Sequence, residues 1–515
     1  MRFLITIICY LNKVLRININ SETKERNYEV VHADVKKIMS VLQILIVNQG
    51  SEITSEQLSK LTGISVFTIR EIIKRLIVKI TEYGIEAKLT FVRQRGVILE
   101  DCNQEQYCRI KHICLTESIN YELIENFLLQ RYQTADKFCE EKHISVSSFR
   151  RKIKKLLPIF ENYGLSIHGN SLKGEELVIR SFFAQYFNEV YEGYEWPFNK
   201  NDNHRHLLII ERLERETGIY LKKESKRELC FLWGISKIRR EKQKYLEKRT
   251  NEFYKFSQQN QCFSKFIKIV EELIPKNEFF FNEIEYLFYS FYSMHFDYHL
   301  ISQGKIEEKN SELQLNGCFS SNLTNKIVEI LMNYFESKNL VVEYDSLSME
   351  IRSICQHAQL FQKKLNFVEE LSIGETLLDS YKNHPIFFKI NEICDLNFKR
   401  NKSMSFDFQS VLEYVLMVVH TYQNLINFDK KIYISVCSKL GSFYEQIIVS
   451  YISQKFLTEY NIEFVRTTDK PDLIITDILG QDSFDRYILY LYQPIFDSHS
   501  YIELTKLLVK IINEK

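Results

Sequence analysis

Apolar residues recur at steps of three and four positions in two basic segments of the chain, residues 65–85 and 145–165. This spacing predicts an amphipathic helix in each segment, with its apolar stripe turned toward a core. Laid over one another without a gap, the two segments share eight of their twenty-one residues. The stripe falls on Val66, Ile69, Ile73, Leu76, Ile80 and Tyr83 in the first segment and on Val146, Phe149, Ile153, Leu156, Phe160 and Tyr163 in the second. An internal repeat of this kind predicts one structural unit that is used twice.

A shorter helix and a turn are predicted before each basic helix. In the first copy the short helix opens at Thr54, which fits a capping-box pattern with Gln57. Gly63 suits the left-handed position of the turn that follows. A short helix, a turn and a longer helix are typical of the helix-turn-helix motif. The apolar segments 35–47 and 120–132 predict the helix that completes each three-helix core.

Each basic helix is followed, after a Tyr-Gly pair, by strand-like sequence. Residues 85–101 and 165–180 each predict two short strands joined by a turn that carries basic side chains. A basic hairpin after the second helix is typical of the wing of a winged helix-turn-helix. The sequence therefore predicts two tandem winged helix-turn-helix domains, at residues 31–101 and 115–180.

The side chains between the apolar positions are polar or basic and are predicted to point outward. Such groups at the start of the second helix suit the DNA major groove, because Arg can bind guanine in a bidentate way and Ser, Thr and Lys can bind bases or phosphates. The candidate DNA-binding residues are Thr68, Arg70, Lys74, Arg75, Arg93, Arg95, Ser147, Ser148, Arg150, Arg151, Lys154, Lys155 and Lys173. A solvated helix face is the alternative for a basic run that occurs once, and the repeat favours the interface. Pro158 removes a helical hydrogen bond, so we expect a kink or an end of that helix near Leu157.

The charge is distributed unevenly along the chain, although its net value is only +1. Residues 1–180 carry 27 Lys and Arg against 21 Asp and Glu, a net charge of +6, and the remaining residues carry −5. A basic front and an acidic rear suit a polyanion-binding end attached to other domains.

The rest of the chain changes character twice. Residues 181–428 read as helix after helix, which predicts two all-helical bundles at 181–318 and 319–428. Strand and helix patterns then alternate, which predicts a small parallel α/β domain at 429–515. The predicted fold class is therefore mainly α and multidomain, and residues 1–30 form an N-terminal extension. No hydrolytic triad, metalloprotease helix or nucleotide-binding glycine loop occurs in the sequence, so no enzymatic activity is expected.

The paired units and the second wing carry a resemblance to a known family. Gly164-Leu165-Ser166-Ile167 and then Leu172–Arg180, followed by Trp196-Pro197, resemble the corresponding motifs of the Mga/AtxA-like virulence transcription regulators. The resemblance implies a DNA-binding activator of virulence or surface-protein genes that acts as a homodimer or higher homo-oligomer on double-stranded promoter DNA. It also implies that the helical bundles are PTS-regulation domains, modulated by a phosphocarrier protein of the sugar phosphotransferase system, and that the last domain is similar to enzyme IIB.

Phosphorylation would act on histidine, where it adds negative charge and strong acceptors. The regulatory candidates are His204 and His206, which open a helix on a polar segment, and then His384 and His420. A structural or surface role remains the alternative for each of them. In enzyme IIB proteins the phospho-accepting cysteine follows the first strand, where Cys437 stands, but the loop here is poor in glycine. The alternative functions are thus a phosphotransferase-system component or a PTS-regulated antiterminator that carries phosphate on histidine or Cys437.

The eleven cysteines lack paired spacing, as in a reduced cytoplasmic protein. Cys102, Cys108, His112 and Cys114 lie close together in sequence, but their spacing fits no common zinc motif. We expect helix-face packing there, and neither a metal nor a cofactor. The apolar stretch within residues 1–30 is interrupted at Asn12 and is too short to span a bilayer, so no membrane partner is expected. A leading helix is favoured over a signal-peptide core, since no A-x-A-like cleavage site follows.

Overall fold

The structure is a computed structural model. It describes residues 33–92, 96–132, 134–169, 171–191, 195–247, 250–296, 318–337, 341–362, 389–392, 406–422, 431–456, 460–478, 487–490, 503–508 and 510–511. The described residues form two compact units, of which one ends at residue 414 and the other begins at residue 415.

The first copy of the repeat folds as three helices and a hairpin. The elements are α1 (Ala33–Val47), α2 (Ser55–Thr62), α3 (Val66–Glu82), β1 (Lys88–Val92) and β2 (Gly96–Glu100). Thr54 and Gln57 form the predicted capping box at the start of α2. Gly63 ends that helix with a φ of 70°, a left-handed conformation that glycine adopts without steric cost. The strands β1 and β2 pair antiparallel.

The second copy repeats this order after one additional helix, α4 (Gln104–Thr116). Its own elements are α5 (Ile119–Leu129), α6 (Ala135–Glu141), α7 (Val146–Asn162), β3 (Ser166–His168) and β4 (Ser171–Lys173). Helices α3 and α7 both have 17 residues, and a serine caps each of them. The Oγ atoms of Ser65 and Ser145 accept hydrogen bonds from the backbone N–H groups of Thr68 and Ser148, both at 3.2 Å. The sequence repeat is therefore a repeat of structure.

Helix α7 does not end near Leu157. It continues to Asn162 with Pro158 inside it. The proline leaves the carbonyl of Lys154 without its helical N–H donor, but Lys154 is exposed and water can bind that oxygen. The buried residues Ile159 and Phe160 on the next turn hold the helix against the core.

Helices continue from the second hairpin to the end of this unit. They are α8 (Glu176–Tyr191), α9 (Lys200–Thr217), α10 (Lys223–Glu241), α11 (Asn251–Gln259), α12 (Phe263–Val270), α13 (Phe280–Tyr292), α14 (Phe319–Ser337), α15 (Tyr344–Phe361) and α16 (Phe408–Tyr422), and the division between the two units falls within α16. A single hydrophobic cluster of buried residues runs from Val35 to Phe361. The two repeated units share this core with α8 to α13 and with α15, and the chain is mainly helical as predicted.

The second unit contains a parallel sheet. Its elements are β5 (Ile432–Cys437), α17 (Ser442–Phe456), β6 (Ile462–Phe464), β7 (Leu473–Thr476) and β8 (Tyr487–Tyr490). The strand order is β6-β5-β7-β8, and every neighbouring pair is parallel. Ile434, Ile452 and Leu473 belong to a separate hydrophobic cluster that this unit forms by itself. The alternation of strand and helix in the sequence correctly predicted parallel pairing here.

Across the described part of the chain, no helix combines the length and the apolar character that crossing a bilayer requires.

Candidate nucleic-acid interface

Helix α7 presents a row of cations to solvent. Arg150, Arg151, Lys154 and Lys155 are all exposed, and none of the four forms an ion pair with a described residue. The spacing explains this arrangement, because side chains four residues apart lie on the same side of a helix. The opposite side of α7 is buried through Leu156, Ile159 and Phe160. The sequence therefore forces the cations outward while the apolar stripe holds the helix in place.

The equivalent helix of the first copy is less positive, because its cations have acidic partners. Arg70 binds Glu56 at 3.3 Å, and Lys74 binds Glu71 at 2.9 Å. The hydrogen bond from Lys74 lowers the pKa of Glu71. Arg75 is exposed as well. In the repeat, the position of Glu71 is occupied by Arg151, so α7 gains a cation where α3 carries a carboxylate.

The small hydroxyl residues at the start of both helices are partly engaged in capping. The hydroxyls of Ser65 and Thr68 lie 2.8 Å apart, and those of Ser145 and Ser147 lie 3.0 Å apart. Thr68 and Ser148 are half-buried, whereas Ser147 is exposed. Of the three predicted hydroxyl contacts, Ser147 is therefore the most accessible to an outside partner.

The second hairpin is shorter than expected. Lys173 was predicted to lie in the turn between its strands, but it is exposed at the end of β4, and the residues from Glu176 onward form α8. Arg93 and Arg95 of the first hairpin lie outside the described residues. Gly96 opens β2 with a φ of 123°, and a Cβ atom there would lie 2.3 Å from the carbonyl oxygen of Ile53. This close approach holds the first hairpin against the segment that precedes α2.

The two basic helices border a common groove. A cavity of about 550 Å³ is lined by Lys74, Arg75 and Lys79 from α3 and by Lys152 from α7. Glu82 and Glu117 also line it, and Glu117 forms an ion pair with Lys79, so the groove carries four cations against two carboxylates. Because both copies contribute cations to one groove, both can contact the same polyanion.

Comparison with known proteins agrees with this geometry. Residues 103–187, from the start of α4 into α8, match the family model described as the Mga helix-turn-helix domain. The resemblance to the Mga/AtxA-like regulators is confirmed. Three relatives are similar to parts of the chain. The capsule synthesis positive regulator AcpB of Bacillus anthracis is 24% identical over 243 residues, which is 47% of this chain and 49% of that protein.

Two further relatives match shorter segments. A protein described as a trans-acting regulator, from Streptococcus pneumoniae serotype 4, is 26% identical over 140 residues, 27% of this chain and 28% of that protein. The capsule synthesis positive regulator AcpA of Bacillus anthracis is 24% identical over 123 residues, 24% of this chain and 26% of that protein. The matched part of the chain thus spans about half the length of AcpB and about a quarter of the other two.

The predicted regulatory histidines of this Mga-like chain have different surroundings. His204 is exposed on α9, whereas His206 is buried and its Nδ1 atom has no hydrogen-bond partner among the described residues. Burial lowers the pKa of His206 to about 4. His384 and the side chain of His420 lie outside the described residues. Of the two described candidates, only His204 is accessible to a phosphocarrier in this conformation.

A second histidine pair was not singled out from the sequence. The rings of His295 and His357 stack with their centroids 5.5 Å apart. His357 Nε2 lies 3.3 Å from Glu228 Oε1, and the ring of Tyr414 lies 5.2 Å from that of His295. Burial lowers the pKa of His295 to about 4. These four residues come from α10, α15, α16 and the segment after α13, so no local motif could have revealed the cluster.

The loop after Cys437 is occupied by its own carboxylates. The backbone N–H of Ser438 donates to Glu445 Oε1 at 2.9 Å, and the backbone N–H of Lys439 donates to Asp477 Oδ1 at 2.8 Å. Cys437 Sγ lies 3.1 Å from Thr467 Oγ1. Binding a phosphate through backbone N–H groups requires those donors to be free. Here two of them already bind anions.

The remaining cysteine and histidine group is built into helix packing. Cys102 and Cys114 are buried, and His112 Nδ1 lies 3.1 Å from the carbonyl oxygen of Val190. The ring of His112 also packs against Tyr191, with centroids 4.7 Å apart. These contacts join α4 to α8.

Proposed function

We propose that the chain is a DNA-binding transcription regulator whose principal DNA contact is helix α7. The observation that carries the proposal is the exposed row Arg150, Arg151, Lys154 and Lys155, which lies within the segment that matches the Mga helix-turn-helix domain. Cations that pair with no described residue are available to bind phosphates and to release the counterions of DNA. Ser147 and Lys173 lie in the same copy and extend the contact to the helix start and the wing.

The first copy makes a weaker, second contact in this proposal. Arg70 and Lys74 must exchange Glu56 and Glu71 for phosphates, which reduces the net gain from each. Arg75 and the cations of the shared groove support binding of both copies to one duplex. We propose residues 31–101 and 115–180 as the two winged helix-turn-helix domains.

The names of two relatives suggest activation of transcription rather than repression. AcpA and AcpB are described as positive regulators of capsule synthesis, and we infer that this chain is likewise an activator in the cytoplasm. Its target genes would encode virulence or surface functions. We propose that it is not an enzyme.

Regulation is proposed to come from the helical domains, 181–318 and 319–428. A phosphocarrier protein would phosphorylate His204, which is exposed on α9. The added charge would alter the packing of these helices or the association of two chains. The domain at 429–515 is proposed to be similar to enzyme IIB and to mediate homodimerisation. The carboxylates that occupy the Cys437 loop favour this role over phosphate transfer.

A mobility-shift experiment tests the DNA proposal. The full-length protein is mixed with a pool of randomised duplex DNA and, separately, with RNA of the same length. We expect retention of DNA at moderate salt, and loss of most of it for the Arg150→Ala/Arg151→Ala variant. Lys265→Ala/Lys268→Ala is the matched control, because it removes two exposed cations from α12 instead. Equal binding by both double variants, or a preference for RNA, would contradict the proposal.

A further inference from the structure

Phe67 is an apolar residue at a position that does not contribute to the hydrophobic core. It lies in the first turn of α3, and 76% of its surface is exposed. Its neighbours Val66 and Ile69 belong to the apolar stripe and turn inward, with Ile69 fully buried. Exposing a phenylalanine ring to water costs the free energy that its burial would release. The fold alone therefore does not account for a phenylalanine here.

The second copy of the repeat supplies a reference for this position. Helices α3 and α7 start after a capping serine and have the same length. Phe67 and Ser147 therefore occupy equivalent positions, the second residue of each helix. Ser147 is exposed, as the position demands. A polar residue is thus compatible with this local structure. The phenylalanine of the first copy is therefore explained by a contact that α3 makes and not by the fold of the helix.

The surroundings of Phe67 select the kind of partner. Arg70, Lys74 and Arg75 follow on the same helix, and the last two line the basic groove that α3 shares with α7. An apolar group at the tip of a cationic helix complements a surface that is anionic but carries isolated methyl groups. The DNA major groove has this character, because phosphates flank it and thymine places a 5-methyl group on its floor.

Resting on the proposed function, we propose that Phe67 reads thymine through contact with its 5-methyl group. The two copies then divide recognition between them. Helix α7 contributes affinity through cations that no described residue pairs with. Helix α3, whose cations Arg70 and Lys74 are partly neutralised, contributes discrimination through one apolar contact. The bound site is therefore asymmetric, with a thymine-dependent part under α3 alone.

The test removes the methyl group from the DNA and the ring from the protein. Duplexes enriched by the full-length protein from a randomised pool are synthesised again with deoxyuridine in place of thymidine, which deletes only the methyl groups. We expect the wild type to bind the deoxyuridine duplex about fourfold more weakly for each methyl group that contacts Phe67. The variant Phe67→Ser, which carries the residue of the second copy, should bind both duplexes equally and at the weaker level.

A matched control lies on another helix. Phe281 on α13 is also an exposed phenylalanine and does not line the groove between α3 and α7, so Phe281→Ser should keep the full difference between the two duplexes. Circular dichroism establishes that both variants remain folded.

Two results would overturn the proposal. One is equal binding of the two duplexes by the wild type, and the other is a difference that survives Phe67→Ser. A lower molecular mass of Phe67→Ser by light scattering, with the difference between duplexes unchanged, would assign Phe67 to a protein contact instead. Failure of the wild type to bind any duplex would contradict the proposed function itself, which separates the two outcomes.

Discussion

Arg180 and Glu283 form a two-point ion pair in the core, although 103 residues separate them in sequence. Both contacts, Nη1 to Oε2 and Nη2 to Oε1, measure 2.8 Å, and neither side chain has any exposed surface. Arg180 is the last residue of the motif Leu172–Arg180, and it also binds Glu176 at 3.1 Å. Arg239 holds the same Glu176 at 2.7 Å. The segment after the DNA-facing hairpin is thereby tied to helices α10 and α13.

The first prediction concerns this pair. Arg180→Met leaves Glu283 buried without its strongest partner, and breaking such a pair costs about 3–5 kcal/mol of unfolding free energy. Urea denaturation followed by circular dichroism measures the loss. The double variant Arg180→Met/Glu283→Leu should be less destabilised than the sum of the single variants, because both single variants lose the same pair. It should stay less stable than the wild type, since the buried Arg240 also loses Glu283. Lys276→Met, which breaks an exposed pair with Glu271, should change the midpoint little, and an equal loss in both cases would argue against a role for burial.

The second prediction is a loss of stability in acid. Burial lowers the pKa of His206 and of His295 to about 4, while an unfolded chain titrates near 6.5. Between these values the unfolded state binds more protons, so the unfolding free energy falls as the pH drops from about 6.5 to about 4. Each pKa unit corresponds to roughly 1.4 kcal/mol. Urea midpoints at pH 7.5, 6 and 5 measure the trend.

The variants His206→Gln and His295→Gln should flatten this pH dependence. His204→Gln is the control, since His204 is exposed on the same helix as His206, and it should leave the slope unchanged. A slope that is the same in all three variants would assign the acid sensitivity to other groups.

The third prediction compares the salt dependence of the two copies. Arg150→Ala/Arg151→Ala should lower the slope of log affinity against log salt by about one unit for each lost phosphate contact. Arg70→Ala/Lys74→Ala should lower it less, because these cations already bind Glu56 and Glu71 in the free protein. Fluorescence anisotropy with a labelled duplex at several salt concentrations gives both slopes. A larger change for the first copy would reverse the proposed ranking.

The fourth prediction concerns self-association through α17. Phe443 exposes 84% of its surface, and Ile447, four residues later on the same side of the helix, is exposed as well. Phe443→Ser/Ile447→Ser should lower the mass measured by light scattering, as should deletion of residues 429–515. Ile478→Ser, an exposed apolar residue outside the helix, should not. An unchanged mass in every variant would move the interface to the helical middle.

The fifth prediction concerns phosphorylation. Purified phosphocarrier protein with its phosphoenolpyruvate-driven donor should label the wild type and Cys437→Ser equally, because carboxylates occupy the N–H groups after Cys437. Replacing His204, His206, His384 and His420 together by Ala should abolish the label, and His204→Ala alone should remove the part carried by the exposed site on α9. Label that persists in the fourfold variant and disappears with Cys437→Ser would support the phosphate-carrier alternative.

The sequence by itself determined the elements of the repeat. The apolar stripes, the capping residues Thr54 and Ser65 and the turn residue Gly63 act on neighbours within a few positions, so their effects can be read from spacing. The parallel pairing near Ile434 followed from alternation for the same reason. The exposure of Arg150 and Arg151 also followed from periodicity, because a helix whose other face is apolar has one way to bury it.

Only the tertiary structure decided which charges meet. Glu283 faces Arg180 and His357 stacks on His295 across large sequence separations, and no local pattern records such pairs. A kink or an end of α7 was expected near Pro158, but the helix continues to Asn162, where the burial of Ile159 and Phe160 offsets one lost hydrogen bond. The pairing of Arg70 with Glu56, which makes the two copies unequal, likewise depends on how α2 packs against α3. Local periodicity specifies which face of an element is buried. The partners of a residue across the core depend on how whole elements pack together, and the residues next to it in sequence carry no information on that packing.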